Sequence, residues 1–138
     1  MTDDDAELRA RRPKAAALIL AGGEEDEALV VRVRREPGYV LITVTGEVDY
    51  ASVTGLRERL FALADDGRPL IADLDRVSFI DAAGLGVLAA AARRAAGHGA
   101  SLHVVCARSR IRRLFGLTRL DRAVPLVERL AEALQDTT

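Results

Sequence analysis

The sequence predicts an α/β fold, one layer of strands in a mixed sheet covered by helices. Three observations predict it: β-branched apolar runs of strand length recur along the chain, stretches with a helical apolar stripe separate most of them, and a Pro-Gly turn joins the first two. The 138 residues fit one domain of ordinary size with a tail to spare. With 49% apolar and 30% charged residues, the chain can bury a core and stay soluble.

The first 28 residues stand apart. They carry eight acidic and four basic side chains, whereas the remaining 110 carry 13 acidic and 16 basic ones. A charged cluster, Pro13, Gly22-Gly23 and the acidic run Glu24 to Glu27 read as a mobile tail with a short helical turn over 1–28. The folded unit is then 29–138. A secretory signal is the alternative, because basic residues precede Ala15 to Ala21; the acids at the very start and the shortness of the apolar run argue against it.

Leu29 to Val33 and Tyr39 to Thr45 are strand-like, and Pro37-Gly38 between them makes a hairpin. Val53, Leu56, Leu60 and Leu63 then recur at helical spacing until Asp65-Asp66-Gly67 stops the helix. Leu70 to Leu74 is a short apolar strand, and Ser78-Phe79-Ile80 leads into Asp81. A second helix has Leu85, Leu88, Ala92 and Ala95 on one face and ends at Gly97-His98-Gly99. Leu102 to Cys106 is a buried-strand candidate. Ile111, Leu114 and Phe115 mark a short arginine-rich helix, and Leu126, Val127, Leu130 and Leu134 mark the inner stripe of a terminal one. The order is β-β-α-β-α-β-α-α, without an internal repeat.

Composition narrows the function. Twenty basic against twenty-one acidic residues leave a net charge of −1, without the basic excess of a nucleic-acid binder. Arg108, Arg110, Arg112, Arg113, Arg119 and Arg122 do crowd one region, but aromatic residues for base stacking are scarce. The cluster reads as a solvated helix face or as contact with an acidic partner. A single cysteine, Cys106, excludes an internal disulfide and reads as an inert core thiol. His98 belongs to a turn, and His103, alternating within its strand, reads as half-exposed. No phosphate loop, dinucleotide fingerprint, nucleophile elbow or paired metal-ligand motif appears, so neither cofactor nor metal is expected, and no catalytic set can be assembled. The longest apolar run falls far short of the ~20 residues that span a bilayer, so no membrane insertion is expected. The chain reads as a soluble cytoplasmic binding protein.

The most informative stretch is Val77 to Leu88. Asp81 is placed to cap the helix after it, its carboxylate accepting from the N–H of Ala83 or Gly84, which is worth about 1 kcal/mol over alanine. Gly84 and Gly86 each cost about 1 kcal/mol in the first turns of that helix. Either another backbone approaches this helix end, or the helix packs tightly on its own sheet. Both readings stay open on sequence alone.

Phe79-Ile80-Asp81-Ala82-Ala83-Gly84-Leu85-Gly86-Val87-Leu88 resembles the signature of STAS domains, in particular the bacterial anti-sigma factor antagonists. Gly46-Glu47-Val48-Asp49 is similar to the end of the family's second strand, and Ser109 to Thr118 followed by Leu120 to its penultimate helix and turn. The resemblance runs from about Leu29 to Leu134. It implies a STAS-like mixed sheet of four to five strands with four helices mainly on one face. It also implies a partner switch. In that family the unphosphorylated protein binds an anti-sigma factor with a serine-kinase fold, and phosphorylation of a serine just after the motif aspartate breaks the complex. Here Asp81 matches the aspartate, Ala82 stands at the phosphoacceptor position, and Ala83 follows it. An alanine methyl cannot receive a phosphoryl group, so the resemblance implies a surface that this kinase reaction does not switch. Lost partner binding is also compatible with the two alanines.

Asp49 matches an aspartate that the family uses beside the phosphoacceptor to dock the kinase. On its own it reads as an N-cap for the helix starting near Val53, with Ser52 and Thr54 as competitors. The expected contact surface is thus Asp49, Asp81, Ala82, Ala83, Gly84 and Leu85. Two other roles fit the same fold: a scaffold subunit packing with copies of itself, a homodimer at the simplest, and a STAS component of a membrane lipid-transport complex bound to its ATPase.

Overall fold

The structure, a computed structural model, describes Ala16–Leu20 and residues 29–137, with side chains from residue 29 onward. Residues 1–15 and 21–28, where the expected tail and its helical turn fall, lie outside the described residues. The chain runs β1 (Ala16–Leu20), β2 (Leu29–Glu36), β3 (Tyr39–Val48), α1 (Val53–Asp65), β4 (Leu70–Ile80), α2 (Ala82–Gly97), β5 (Leu102–Val105), α3 (Ser109–Leu117), a 3-10 turn (Leu120–Arg122), β6 (Leu126–Val127) and α4 (Leu130–Asp136).

The expected hairpin forms. Glu36 pairs with Tyr39, so Pro37-Gly38 is the whole turn, and Gly38 has φ of +90°, a conformation that a side chain disfavours. The apolar stripes of α1 and α2 are both buried, Val53, Leu56, Leu60 and Leu63 on the first and Leu85, Leu88, Ala92 and Ala95 on the second. Each large aliphatic side chain taken fully out of water contributes about 1.5–3 kcal/mol. The six strands follow chain order, β1-β2-β3-β4-β5-β6, antiparallel through β3 and parallel from β3 onward. Each parallel crossover therefore steps the same way. Crossovers of one hand then put their helices on one side. Accordingly α1, α2 and α3 share one core, in which Leu60, Leu88 and Phe115 meet Ile42, Leu70 and Val104. On the opposite face, Leu130 and Ala133 of α4 pack with Tyr39, Leu41, Ile71 and Val105.

Three details differ from the sequence reading. The sheet has six strands rather than four to five, because β1 forms within the segment read as tail and pairs along β2 from Ala16–Val33 to Leu20–Leu29. Leu126 and Val127 form strand β6 instead of the start of the last helix, pairing with Val104 and Val105. That helix starts only at Leu130, where the Glu132 carboxylate accepts from the N–H groups of Glu128 and Arg129. His103 is 6% exposed rather than half-exposed, because α4 covers its face of β5 and brings Asp136 Oδ2 to 3.6 Å from Nε2. Burial holds the His103 pKa below its ordinary value, and the Asp136 charge partly offsets this.

Candidate functional site

Sheet register builds the site. Val48 and Ile80 are paired as the last residues of β3 and β4, so the next residues, Asp49 and Asp81, leave the sheet side by side although 32 positions apart. The Asp81 N–H donates to the Val48 carbonyl at 3.1 Å and locks the two exits together. From there Asp81 caps α2 with extended backbone, its Oδ1 accepting from the Gly84 N–H at 3.0 Å. Its other oxygen, Oδ2, accepts from the Tyr50 N–H at 3.0 Å. One carboxylate therefore ties the β3–α1 loop to the opening turn of α2, and both of its oxygens are used.

Asp49 does something different from the expected capping of α1. The helix starts after Ser52, which makes no side-chain cap bond to it. Asp49 Oδ1 instead accepts from the N–H groups of Ala51 and Ser52, each at 3.1 Å, and lies 3.2 Å from Ser52 Oγ. The buried Ser52 hydroxyl also accepts from the Asp49 N–H at 3.2 Å. Asp49 thus closes the turn that precedes α1 and holds the loop in one shape. The motif aspartates are rigidly placed by main-chain donors.

The expected surface divides into an exposed and a buried part. Ala82 is exposed and Asp81 and Ala83 are half-buried, so these three face outward at the helix tip. Gly84 and Leu85 are buried, and so belong to the packing of α2 rather than to an outer surface. The question about the glycines is answered at Gly84. A Cβ there would sit 2.7 Å from Val48 Cγ1 and 2.8 Å from Ile80 Cγ1, so the helix packs tightly on its own sheet. Gly86, by contrast, is exposed with open space around it.

Two aromatic residues outside the expected contact surface join this end of the molecule. Tyr50, whose N–H is held by Asp81, is 83% exposed, and Phe79, paired in register with Glu47 of β3, is 48% exposed. A sequence signal existed for Tyr50, which lies in a short turn between strand and helix; none existed for Phe79, because strand alternation after Val77 and Ser78 points it inward, and the structure exposes both Ser78 and Phe79.

The arginine cluster is of mixed character. Arg108 Nη1 donates to the Asp75 and Val77 carbonyls, and Arg112 Nη1 to the Cys106 carbonyl, so two of the six stitch α3 to β4 and to the end of β5. Cys106 is fully buried, and burial raises its thiol pKa. Among the described residues, no group of histidine, cysteine and carboxylate side chains could hold a metal ion, and no helix is long and apolar enough to cross a membrane.

This arrangement can be compared with known proteins. The STAS domain family model matches residues 30–133. The anti-sigma-B factor antagonist of Bacillus subtilis (strain 168) is 34% identical over 90 residues, 65% of this chain and 83% of that protein. The anti-sigma-F factor antagonist RsfB of Mycobacterium tuberculosis is 30% identical over 109 residues, 78% of this chain and 88% of that protein. Among solved structures, an anti-sigma factor antagonist from Mycobacterium paratuberculosis superposes with a TM-score of 0.74 at 28% identity, covering 84% of this chain and 97% of that one. SpoIIAA in its unphosphorylated form, at 19% identity, shares the fold with a TM-score of 0.65 over 77% of this chain and 94% of that one. The family match over residues 30–133, well over half of the chain, places this chain in the STAS domain family.

Proposed function

We propose that this chain is an anti-sigma factor antagonist, a binding module that captures an anti-sigma factor with a serine-kinase fold and acts without catalysis of its own. The docking face is the tip of α2, with Asp81, Ala82 and Ala83, together with the adjoining loop of Asp49 and Tyr50. The observation that carries the reading is the Asp81 carboxylate, which joins the Tyr50 and Gly84 N–H groups and so presents Ala82 on a preformed platform. Little ordering is then required on binding, which favours affinity. The named antagonists among the relatives supply the kind of partner.

Ala82 sets this chain apart. A phosphate at this position would add a charge of about −1.5 to −2 at the centre of the face. Ala82 and Ala83 offer no oxygen to receive one, so the face stays small and uncharged at its centre and partner binding persists in the presence of ATP. The test pairs this chain with a purified ATP-binding anti-sigma factor from the same cell, measuring binding by surface plasmon resonance with and without Mg-ATP and phosphate by mass spectrometry. Unmodified chain bound equally in both conditions is the expected result, together with phosphorylation and release of the Ala82→Ser variant. Release of the parent chain by ATP, or phosphate on any residue of its face, overturns the proposal.

A further inference from the structure

A bulge decides which side chains the end of β4 shows. Gly46 of β3 pairs with Val77 and Glu47 with Phe79, so Ser78 is one residue more than β3 matches. Gly46 takes the bend with φ of +111°, and the Ser78 hydroxyl donates to its carbonyl at 3.4 Å. Regular alternation would put Val77 and Phe79 on the core side and Ile80 outside. The extra residue breaks it: Val77 and Ile80 are buried in the main core, while Ser78 and Phe79 both stay exposed. Among the described residues Phe79 belongs to neither core, unlike Phe61, which is half-buried against the main core beneath Arg94.

The ring lies next to the docking face. Glu47 and Phe79 each stand two residues ahead of the paired exits at Asp49 and Asp81, about 7 Å along their strands. Tyr50, Phe79 and Leu117 are the exposed large apolar side chains among the described residues, and the first two fall at this end. A single exposed apolar residue is ordinary, whereas two rings on fixed main chain beside one helix tip mark a contact surface. Phe79 precedes Ala82 by three residues, so their Cα atoms are at most about 11 Å apart. An interface of ordinary size covers about 800 Å² on each partner, a disc of about 16 Å radius. A partner centred on Ala82 therefore reaches Phe79, although the ring points to the side of the sheet away from α2.

We infer that Phe79 is an apolar anchor of the docking face, and that the anti-sigma factor wraps round the end of β4 and closes an apolar recess over the ring. This rests on the antagonist reading above and adds to it a contact on the second side of the sheet, with the chemistry of the surface that meets it. Large aromatic side chains at the middle of an interface carry a disproportionate share of the binding energy.

Titration calorimetry with the purified anti-sigma factor compares full chains carrying Phe79→Ala, Phe79→Leu and Leu117→Ala. Leu117 is the control: it is 72% exposed and lies about 13 Å further along α3 from Arg108, whose guanidinium donates to the Val77 carbonyl. Phe79→Ala is expected to weaken binding about tenfold, Phe79→Leu by less than about threefold, and Leu117→Ala by less than about twofold. A second measurement uses Phe79→Cys, alkylated by iodoacetamide in the free chain and protected at saturating anti-sigma factor, with the fully buried Cys106 as internal reference. Parent affinity in Phe79→Ala, or alkylation of Phe79→Cys at the same rate in the complex, overturns the inference while leaving the antagonist reading standing. A parent chain that does not bind the anti-sigma factor removes both. Self-association of the parent that Phe79→Ala abolishes, with binding to the anti-sigma factor unchanged, also overturns it, because the occupant is then a second copy of this chain.

Discussion

Two identical substitutions, two residues apart in one helix, should change stability in opposite directions. Gly84→Ala and Gly86→Ala both relieve the glycine penalty, about 1 kcal/mol in a helix interior. At Gly86 nothing lies within 4 Å of the new methyl group, so that gain is kept. At Gly84 the methyl group would meet Val48 Cγ1 at 2.7 Å and Ile80 Cγ1 at 2.8 Å, about 1 Å inside ordinary carbon contact. Val48 and Ile80 are both buried in the main core and cannot swing into solvent. Overpacking of this kind costs about 1–3 kcal/mol. Any retreat of α2 also stretches the Asp81 bond to the Gly84 N–H, a cap worth about 1 kcal/mol. The balance is a loss of about 1–2 kcal/mol for Gly84→Ala against a gain of about 1 kcal/mol for Gly86→Ala. In a domain near 100 residues, each kcal/mol moves Tm by about 4–8 °C. Differential scanning calorimetry on the two variants and the parent reads the outcome directly. A Gly84→Ala chain that melts at or above the parent would refute the claim that this glycine exists for the fit of helix on sheet.

Asp81→Ala removes the acceptor of both the Tyr50 and Gly84 N–H groups; a loss of about 1–2 kcal/mol in urea unfolding is expected, together with weaker anti-sigma factor binding, and Asp81→Asn should recover part of both. Tyr50→Ala, in contrast, deletes an exposed ring and should leave urea stability unchanged within about 0.5 kcal/mol while weakening partner binding at least fivefold, as read by titration calorimetry. His103 gives a pH dependence. Burial lowers its folded-state pKa below the unfolded value near 6.5, so the unfolded chain takes up a proton first as pH falls. This contribution to stability is fully present above pH 6.5 and is lost on acidification toward the folded-state pKa; His103→Gln should flatten the urea midpoint between pH 7 and 5. Cys106, buried and with a raised thiol pKa, should resist alkylation by iodoacetamide in the native chain at pH 8 and react on unfolding, which mass spectrometry follows.

The parts of the fold written in periodicity were legible from the residues. Val53, Leu56, Leu60 and Leu63, or Leu85, Leu88, Ala92 and Ala95, can bury together only on a helix, and they are buried on one. The parts that escaped depend on partners distant in sequence. Leu126 and Val127 continue the apolar pattern of the last helix, and only the open edge of β5 converts them into a strand. Ala16–Leu20 is ordered by pairing along β2, a contact that composition does not report, while its charged flanks dominate any local reading. His103 alternates as a half-exposed strand residue should, and its burial comes from α4, which crosses the other face of the sheet. In each case a local signal was overridden by a neighbour that local arguments cannot name.

The site shows the same division more sharply. The two aspartates could be picked out one at a time, each as a cap, and the cap at Asp81 is where the local rule placed it, on the Gly84 N–H. What no local rule contains is the register that sets Val48 opposite Ile80 and so brings Asp49 and Asp81 out of the sheet together. Once they emerge side by side, Asp81 has a second oxygen to spare and the Tyr50 N–H donates to it. That bond turns a helix cap into a brace between two loops, and it is why Tyr50 stands exposed on rigid main chain instead of on a wandering loop. An exposed aromatic ring on a fixed backbone loses little entropy when a partner covers it. The antagonist reading therefore stands on a strand register as much as on the motif, and a shift of β4 by one residue would leave every motif residue in place while dissolving the face they make.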